Sequence, residues 1–118
     1  MRKVILFFCF SILFTGCAAT GILDPSYSLQ ITPQPVYRGK PALAEINIPL
    51  DAQQVVGTVD VMGSPQLIFR KNEQKGIWYF YGSIPFSPWV NPGVYQVRVT
   101  AVFGHGPSRY TEAKVELR

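Results

Sequence analysis

The sequence is poor in residues that hold metal ions. Its 118 residues include one histidine and two cysteines. A catalytic metal site usually takes three protein ligands, and no Asp or Glu is spaced to assist His105. We therefore expect no metal site and no cofactor, and we place His105 in an exposed turn.

Other signatures of catalysis are missing as well. The glycines are spread over turns and form no phosphate-binding loop, and no serine has the surroundings of a nucleophile. Asp51 with Asp60, or Glu112 with Glu116, offer paired carboxylates for acid–base chemistry. The glutamates fall on the outward face of one predicted strand, which favours solvated charge. We expect a protein that is not an enzyme.

Clustered positive charge is also lacking. The formal charge of +4 includes Arg2 and Lys3, which precede the N-terminal apolar run. Beyond them, only Arg70 and Lys71 are adjacent basic residues. Binding to nucleic acid requires a basic face, so we expect no nucleic acid partner.

The N-terminal apolar run is short. Residues 4–14 follow Arg2 and Lys3 and end at small residues. A helix that crosses a membrane needs roughly 20 apolar residues, so this run is too short. A charged start, a short apolar run and a small-residue exit are typical of a secretory signal peptide. Such a segment is either removed by ordinary cleavage, kept as an uncleaved anchor, or processed together with a lipid attachment.

The exit from this run is Phe14-Thr15-Gly16-Cys17, which resembles the lipobox of bacterial lipoproteins. The resemblance implies cleavage before Cys17 and lipid attachment to its thiol. Since Ala18 follows, it also implies the outer membrane of a two-membrane bacterium. Cys9 leaves with the leader, so the mature chain has no disulfide of its own.

We divide the chain into three parts on these grounds. Residues 1–16 are the predicted signal peptide, and residues 17–26 are the lipid anchor and tether. Residues 27–118 are enough for one compact domain.

The remaining chain shows no sustained helical periodicity. Short runs rich in β-branched and aromatic residues are separated by proline and glycine, which predicts an all-β protein. We expect an immunoglobulin-like β-sandwich of seven or eight short antiparallel strands. Strands are predicted at residues 27–32, 42–50, 55–62, 66–70, 77–86, 93–103 and 108–118.

Residues 77–86 are the most aromatic run of the chain, and the alternation of side chains along a strand assigns them to two faces. Trp78 and Phe80 are predicted to point inward, and Tyr79 and Tyr81 outward, where their hydroxyls stay hydrated. Tyr110 is outward by the same alternation, and Trp89 lies on a proline-rich loop. Exposed aromatic rings stack on sugars or anchor a protein partner, although they also merely cover a sheet face. The candidate contact residues are Tyr79, Tyr81, Trp89 and Tyr110.

Two stretches carry a family resemblance. The first is Tyr37-Arg38-Gly39-Lys40-Pro41, followed after an alternating strand by Val56-Gly57-Thr58-Val59. The second is Gly82-Ser83-Ile84-Pro85, followed by Pro92-Gly93-Val94-Tyr95-Gln96-Val97-Arg98-Val99. Together they resemble the immunoglobulin-like domain found N-terminal to M23-family zinc peptidases of bacterial envelopes. The resemblance spans roughly residues 37–101 and implies a fold and a cell-envelope setting. That family's zinc site uses His-x-x-x-Asp and His-x-His, and with only one histidine we expect the catalytic domain to be absent.

These observations support two functional hypotheses. The first is a membrane-anchored envelope lipoprotein, held by Cys17, whose non-catalytic sandwich engages an envelope protein or has a structural or accessory role. The alternative is a module that binds peptidoglycan or another glycan through exposed aromatics. An aromatic row beside a polar groove favours the glycan; a flat apolar patch or an unpaired edge strand favours a protein partner.

Overall fold

The computed structural model describes residues 21–118, which form strands and connecting loops and contain no helix. The prediction of an all-β sandwich is confirmed, with nine strands instead of seven or eight. The strands are β1 Gly21–Leu23, β2 Leu29–Thr32, β3 Pro41–Ile46, β4 Gln54–Val59, β5 Gln66–Ile68, β6 Arg70–Asn72, β7 Ile77–Ser83, β8 Gly93–Val102 and β9 Ser108–Leu117.

The strands form two sheets. The five-stranded sheet has the order β1-β9-β8-β4-β5, and the four-stranded sheet has the order β2-β3-β7-β6. With the strands from β2 onward labelled A, B, C, C′, D, E, F and G, the four-stranded sheet has the order A-B-E-D. The strands β9-β8-β4 of the other sheet then have the order G-F-C, as in the immunoglobulin fold. The arrangement is therefore immunoglobulin-like, as predicted.

The first strand differs from expectation. Residues 17–26 are predicted to be a tether, but Gly21–Leu23 pair with β9 as β1. The pairing is parallel, with Gly21 opposite Ser108, whereas the strand pairs among β2 to β9 are antiparallel as expected. The lipid-attachment residue Cys17, the rest of the anchor before Gly21 and the predicted signal peptide at residues 1–16 lie outside the described residues.

Asp24 fixes the turn that follows β1. Its Oδ1 accepts hydrogen bonds from the Ser26 hydroxyl at 2.5 Å and the Ser26 amide at 3.0 Å. Its Oδ2 accepts a hydrogen bond from Arg109 Nη1 at 3.2 Å. The Ser26 hydrogen bonds, helped by Arg109, hold the pKa of Asp24 below its usual range. The start of the described chain is thus tied to β9 by side chains as well as by backbone pairing.

Apolar side chains from the facing sides of both sheets form the core. Alternation along β3, β8 and β9 places every second residue inward, as the pattern predicts. From the four-stranded sheet the buried residues include Ala42, Ala44, Ile46 and Trp78; from the five-stranded sheet they include Val55, Val59, Leu67, Val97, Val99, Ala101, Val115 and Leu117.

One predicted strand is divided between the two sheets. Residues 66–70 are predicted as a single strand, but β5 pairs with β4 and β6 pairs with β7. The crossing is at Phe69, whose buried ring lies 6.4 Å from that of Phe80 and whose amide donates to Val55 O at 3.1 Å. Lys71 and Asn72, predicted as part of a loop, therefore belong to β6.

Trp78 links the core to the end of β3. The predicted strand 42–50 stops at Ile46, and the chain then turns so that the Pro49 carbonyl accepts a hydrogen bond from Trp78 Nε1 at 3.1 Å. The indole is 4% exposed. Burying this large ring while satisfying its N–H fixes which face of β7 points inward.

The first prediction concerns this indole. Replacing Trp78→Phe removes the donor to Pro49 and part of the buried ring, so we expect a loss of about 2–4 kcal/mol in the free energy of unfolding. Urea denaturation measures it. The same change at the exposed Trp89 is the control, with an expected effect below about 0.5 kcal/mol. Equal losses at both positions would contradict the assignment of Trp78 as the core anchor.

Candidate functional site

The outward face of the four-stranded sheet brings two of the candidate aromatics together. Tyr79 and Tyr81 are both on β7, separated by one inward residue, so they lie on the same face with their Cα atoms about 7 Å apart. Tyr79 lies opposite Glu45 of β3 on one side and Arg70 of β6 on the other. Tyr81 lies opposite Leu43. Charged groups therefore flank one tyrosine and an apolar side chain flanks the other.

These side chains line an open concavity of about 780 Å³. We call it the tyrosine groove, and it is lined by Leu43, Glu45, Ile68, Arg70, Asn72, Lys75, Tyr79, Phe80 and Tyr81. Its size falls within the range of small-molecule sites, with aromatic walls and a few polar groups.

The two tyrosines are available for contact. Tyr81 is 67% exposed, and Tyr79 is half-buried between its neighbours. Among residues 21–118, neither hydroxyl has a hydrogen-bond partner. The groove thus presents ring faces together with hydroxyls that are still able to donate and accept.

The hairpin between β6 and β7 shapes one wall of the groove. The Asn72 side chain accepts a hydrogen bond from the Lys75 amide at 3.1 Å, and the Asn72 carbonyl accepts one from the Gly76 amide at 2.8 Å. Lys75 Nζ then reaches across to Glu45 Oε2 at 3.3 Å. This ion pair joins the hairpin to β3, although exposed pairs of this kind contribute little stability.

The polar face continues past Glu45 onto β2. Gln30 lies opposite Glu45, and a smaller depression of about 280 Å³ is lined by Ser28, Gln30, Glu45 and Asn47 among others. Asn47 is held by accepting from the Ser28 amide at 2.6 Å and donating to Ser26 O at 3.0 Å. Two amides, one hydroxyl and one carboxylate therefore continue the polar surface onto β2.

Tyr110 lies on the opposite side of the molecule, on the outer face of the five-stranded sheet. The Arg98 guanidinium covers its ring at 4.3 Å from the centroid. Arg98 also donates to Glu112 Oε2 from Nε at 3.0 Å and from Nη2 at 2.7 Å. Tyr110 is thus half-buried beneath a paired arginine and offers little open ring.

Trp89 lies apart from all three tyrosines, on the loop between β7 and β8. Its side chain is 78% exposed. Arg38 holds this loop, because Nη1 donates to Ser87 O at 2.8 Å and Nη2 donates to Val90 O. The ring therefore projects from an ordered loop at one end of the sandwich and not from a groove.

The surfaces expected of a protein partner are limited. The edge strands β1, β5 and β6 have three residues each, and the edge strand β2 leads directly into Pro33. Short and proline-flanked edges resist pairing with another chain. On the outer face of the five-stranded sheet a row of paired positions crosses all five strands: Ile68, Val56, Thr100, Tyr110 and Leu23.

His105 lies in the exposed turn between β8 and β9, beside a concavity of about 730 Å³ that also touches Asp51 and Arg109. Within residues 21–118, no group of three or more His, Cys, Asp or Glu side chains is placed to hold a metal ion. Burial raises the pKa of Tyr27 in the same region, helped by the nearby Asp24 carboxylate.

Sequence reasoning missed the polar residues of the groove. Glu45, Arg70, Asn72 and Lys75 come from three different segments, and only strand register brings them beside Tyr79. Part of the signal was present, since residues 71–76 are the most polar stretch of the chain.

No family model matches the chain, and no curated protein is found to be similar to it. Across the part of the chain that the structure describes, no helix has the length and apolar character needed to cross a membrane.

The second prediction concerns the loop that carries Trp89. In Arg38→Gln the two charge-assisted hydrogen bonds to the loop carbonyls are lost, each contributing about 1.5–3 kcal/mol. We expect the Val90 amide, which donates to Ser87 O at 3.0 Å, to exchange its hydrogen at least about tenfold faster.

Amide hydrogen exchange followed by NMR measures this effect. Arg118→Gln is the matched control, since the Arg118 carbonyl accepts from the Arg38 amide, but among residues 21–118 the Arg118 side chain pairs with Glu116 and not with the loop. Unchanged exchange at Val90 in Arg38→Gln would show that Arg38 does not order the loop.

Proposed function

We propose that this protein is a lipid-anchored, non-catalytic module of the bacterial cell envelope that binds a glycan in the tyrosine groove. One observation carries the proposal. Tyr79 and Tyr81 form a solvent-facing pair on a regular strand, directly beside the polar side chains of Glu45, Asn72 and Lys75.

The groove offers the two kinds of contact that a sugar needs. A pyranose ring has a C–H face, which packs against an aromatic ring, and a rim of hydroxyls, which require hydrogen-bond partners. Tyr81 and Leu43 offer the apolar contact, while Asn72, Glu45 and Lys75 offer acceptors and donors. Two aromatic side chains on the same face of one strand offer apolar contact to more than one unit of a sugar chain.

A rigid base supports such recognition. Both tyrosines are on β7, which pairs with β3 at both positions, and β6 adds a second partner at Tyr79 but does not reach Tyr81. The inward neighbours Trp78 and Phe80 pack into or against the core and prevent β7 from rotating. Preorganised side chains of this kind lose little conformational entropy when a ligand binds.

A protein partner is the second candidate. The row from Ile68 through Val56 to Tyr110 gives the five-stranded sheet a partly apolar outer face, and Ile68 is 58% exposed. This row is interrupted by Thr100 and bordered by the Arg98–Glu112 ion pair. Glycan binding is favoured because the groove combines open rings with unsatisfied hydroxyls.

The anchor supplies the location. The resemblance of residues 14–17 to a lipobox supports lipid attachment at Cys17, and the outer membrane is the destination that Ala18 favours. β1 begins four residues after Cys17, a distance of at most about 14 Å even if fully extended. On this proposal the sandwich stands close to the membrane, with peptidoglycan as the nearest glycan polymer.

The third prediction tests the groove. We expect wild-type protein to be retained by isolated peptidoglycan, and Tyr81→Ala to bind at least about tenfold more weakly, a loss of about 1.4 kcal/mol. Co-sedimentation across a range of peptidoglycan concentrations measures it. Trp89→Ala is the matched control, an exposed aromatic outside the groove that should bind normally. Retention that depends on Trp89 and not on Tyr81 would sink the proposed site.

The fourth prediction tests the anchor. Replacing Cys17→Ser removes the only thiol at the predicted cleavage site, so the lipid cannot be attached. We expect the variant to leave the membrane fraction or to keep residues 1–16. Cell fractionation and intact mass spectrometry measure both outcomes. Unchanged membrane association together with an unchanged mature mass would refute lipidation.

A further inference from the structure

Arg70 lies in the tyrosine groove, and no contact within the described fold accounts for its charged side chain there. It is on β6 opposite Tyr79, lines the groove, and is exposed. Residues 21–118 contain five arginines. Four have acceptors within the described chain: Arg38 on loop carbonyls, Arg98 on Glu112, Arg109 on Asp24 and Arg118 on Glu116. Arg70 has no acceptor among the described residues.

We propose that the glycan bound in the tyrosine groove carries a carboxylate, and that Arg70 binds this group. This inference rests on the proposed function and specifies its ligand class. A guanidinium presents a planar fork of N–H donors that matches the two oxygens of a carboxylate. An arginine without an internal acceptor, beside rings that a sugar would cover, is placed to form that pair.

The surrounding charges favour an acidic ligand. Glu45 is the carboxylate among the groove-lining residues, and Lys75 neutralises it at 3.3 Å. Arg70 and Lys75 against Glu45 leave one net positive charge at the groove. A ligand carboxylate therefore meets an unpaired cation without first having to break an ion pair.

The geometry also determines where along the ligand the carboxylate lies. Arg70 of β6 is opposite Tyr79. Tyr81 is two residues further along β7, opposite Leu43 of β3. When a sugar stacks on Tyr81 and its neighbouring unit lies over Tyr79, a carboxylate on the β6 side of that unit meets Arg70. Recognition should require an acidic group on a unit adjacent to the stacked one.

Two sources share this chemistry, and the experiment separates them. Peptidoglycan fragments carry free carboxylates on the stem peptide, or on the lactyl ether where no stem peptide is attached, while uronic-acid polysaccharides carry them on the sugar ring. The probes are a soluble muropeptide, an oligogalacturonate, the methyl ester of that oligogalacturonate, and a neutral N-acetylglucosamine oligomer. Binding to the purified lipid-anchored protein in detergent is measured by calorimetry at low salt.

We expect at least one acidic probe to bind about threefold to fivefold more tightly than the neutral oligomer, as an exposed ion pair allows. Arg70→Gln should remove that preference, Arg70→Lys should retain part of it, and Arg118→Gln should leave it intact. The affinity of the preferred probe should fall as salt is raised, because the pair is exposed. Thermal unfolding confirms that the exposed substitutions leave the fold unchanged.

The outcomes distinguish this inference from the function on which it rests. Equal affinity for acidic and neutral probes, with no effect of Arg70→Gln but a loss in Tyr81→Ala, overturns the carboxylate and leaves glycan binding standing. Failure of every probe and of peptidoglycan to bind overturns both. Preference for the muropeptide over the oligogalacturonate, or the reverse, identifies the source.

Discussion

Apolar contact between the two sheets is the constraint on which the rest of the structure depends, because residues 21–118 contain no cysteine that could cross-link them. Because successive side chains of a strand point to opposite faces, the residues that must be buried also determine which residues are exposed. Since Trp78 must be buried and must donate to Pro49, the next residue along β7 has to point outward. Tyr79 and Tyr81 are therefore displayed as a consequence of the core.

Local pattern was sufficient for the parts of the fold in which one face of a strand is buried. In β3, β8 and β9 buried and exposed side chains alternate over several residues. A shift of one residue in the pairing register would therefore expose a whole row of apolar side chains. β1 has only three residues and no alternation, so its pairing depends on the distant strand β9. The division at Phe69 was equally invisible, because residues 66–70 alternate without a break although β5 and β6 belong to different sheets.

The candidate site was predictable to the same extent and for the same reason. Alternation places Tyr79 and Tyr81 on one face, and this arrangement is seen. It predicts Tyr110 to be outward but says nothing of Arg98, which covers the ring from a neighbouring strand. Arg70 and Glu45 reach Tyr79 from opposite sides only through register, which is set by long-range pairing. Exposure is thus a local property, whereas a site is a property of several strands together.

The shape of the groove has a consequence for affinity. An open sheet face buries only part of a ligand, and exposed ion pairs contribute at most about 1 kcal/mol, so binding of a single short glycan should be weak. A polymer changes this balance, because many identical units meet many copies of the protein held on one surface. Linked binding events raise the effective concentration to the millimolar range without any new contact. The proposed attachment at Cys17 and the proposed groove therefore complement each other, since the anchor supplies the local concentration that a shallow site needs.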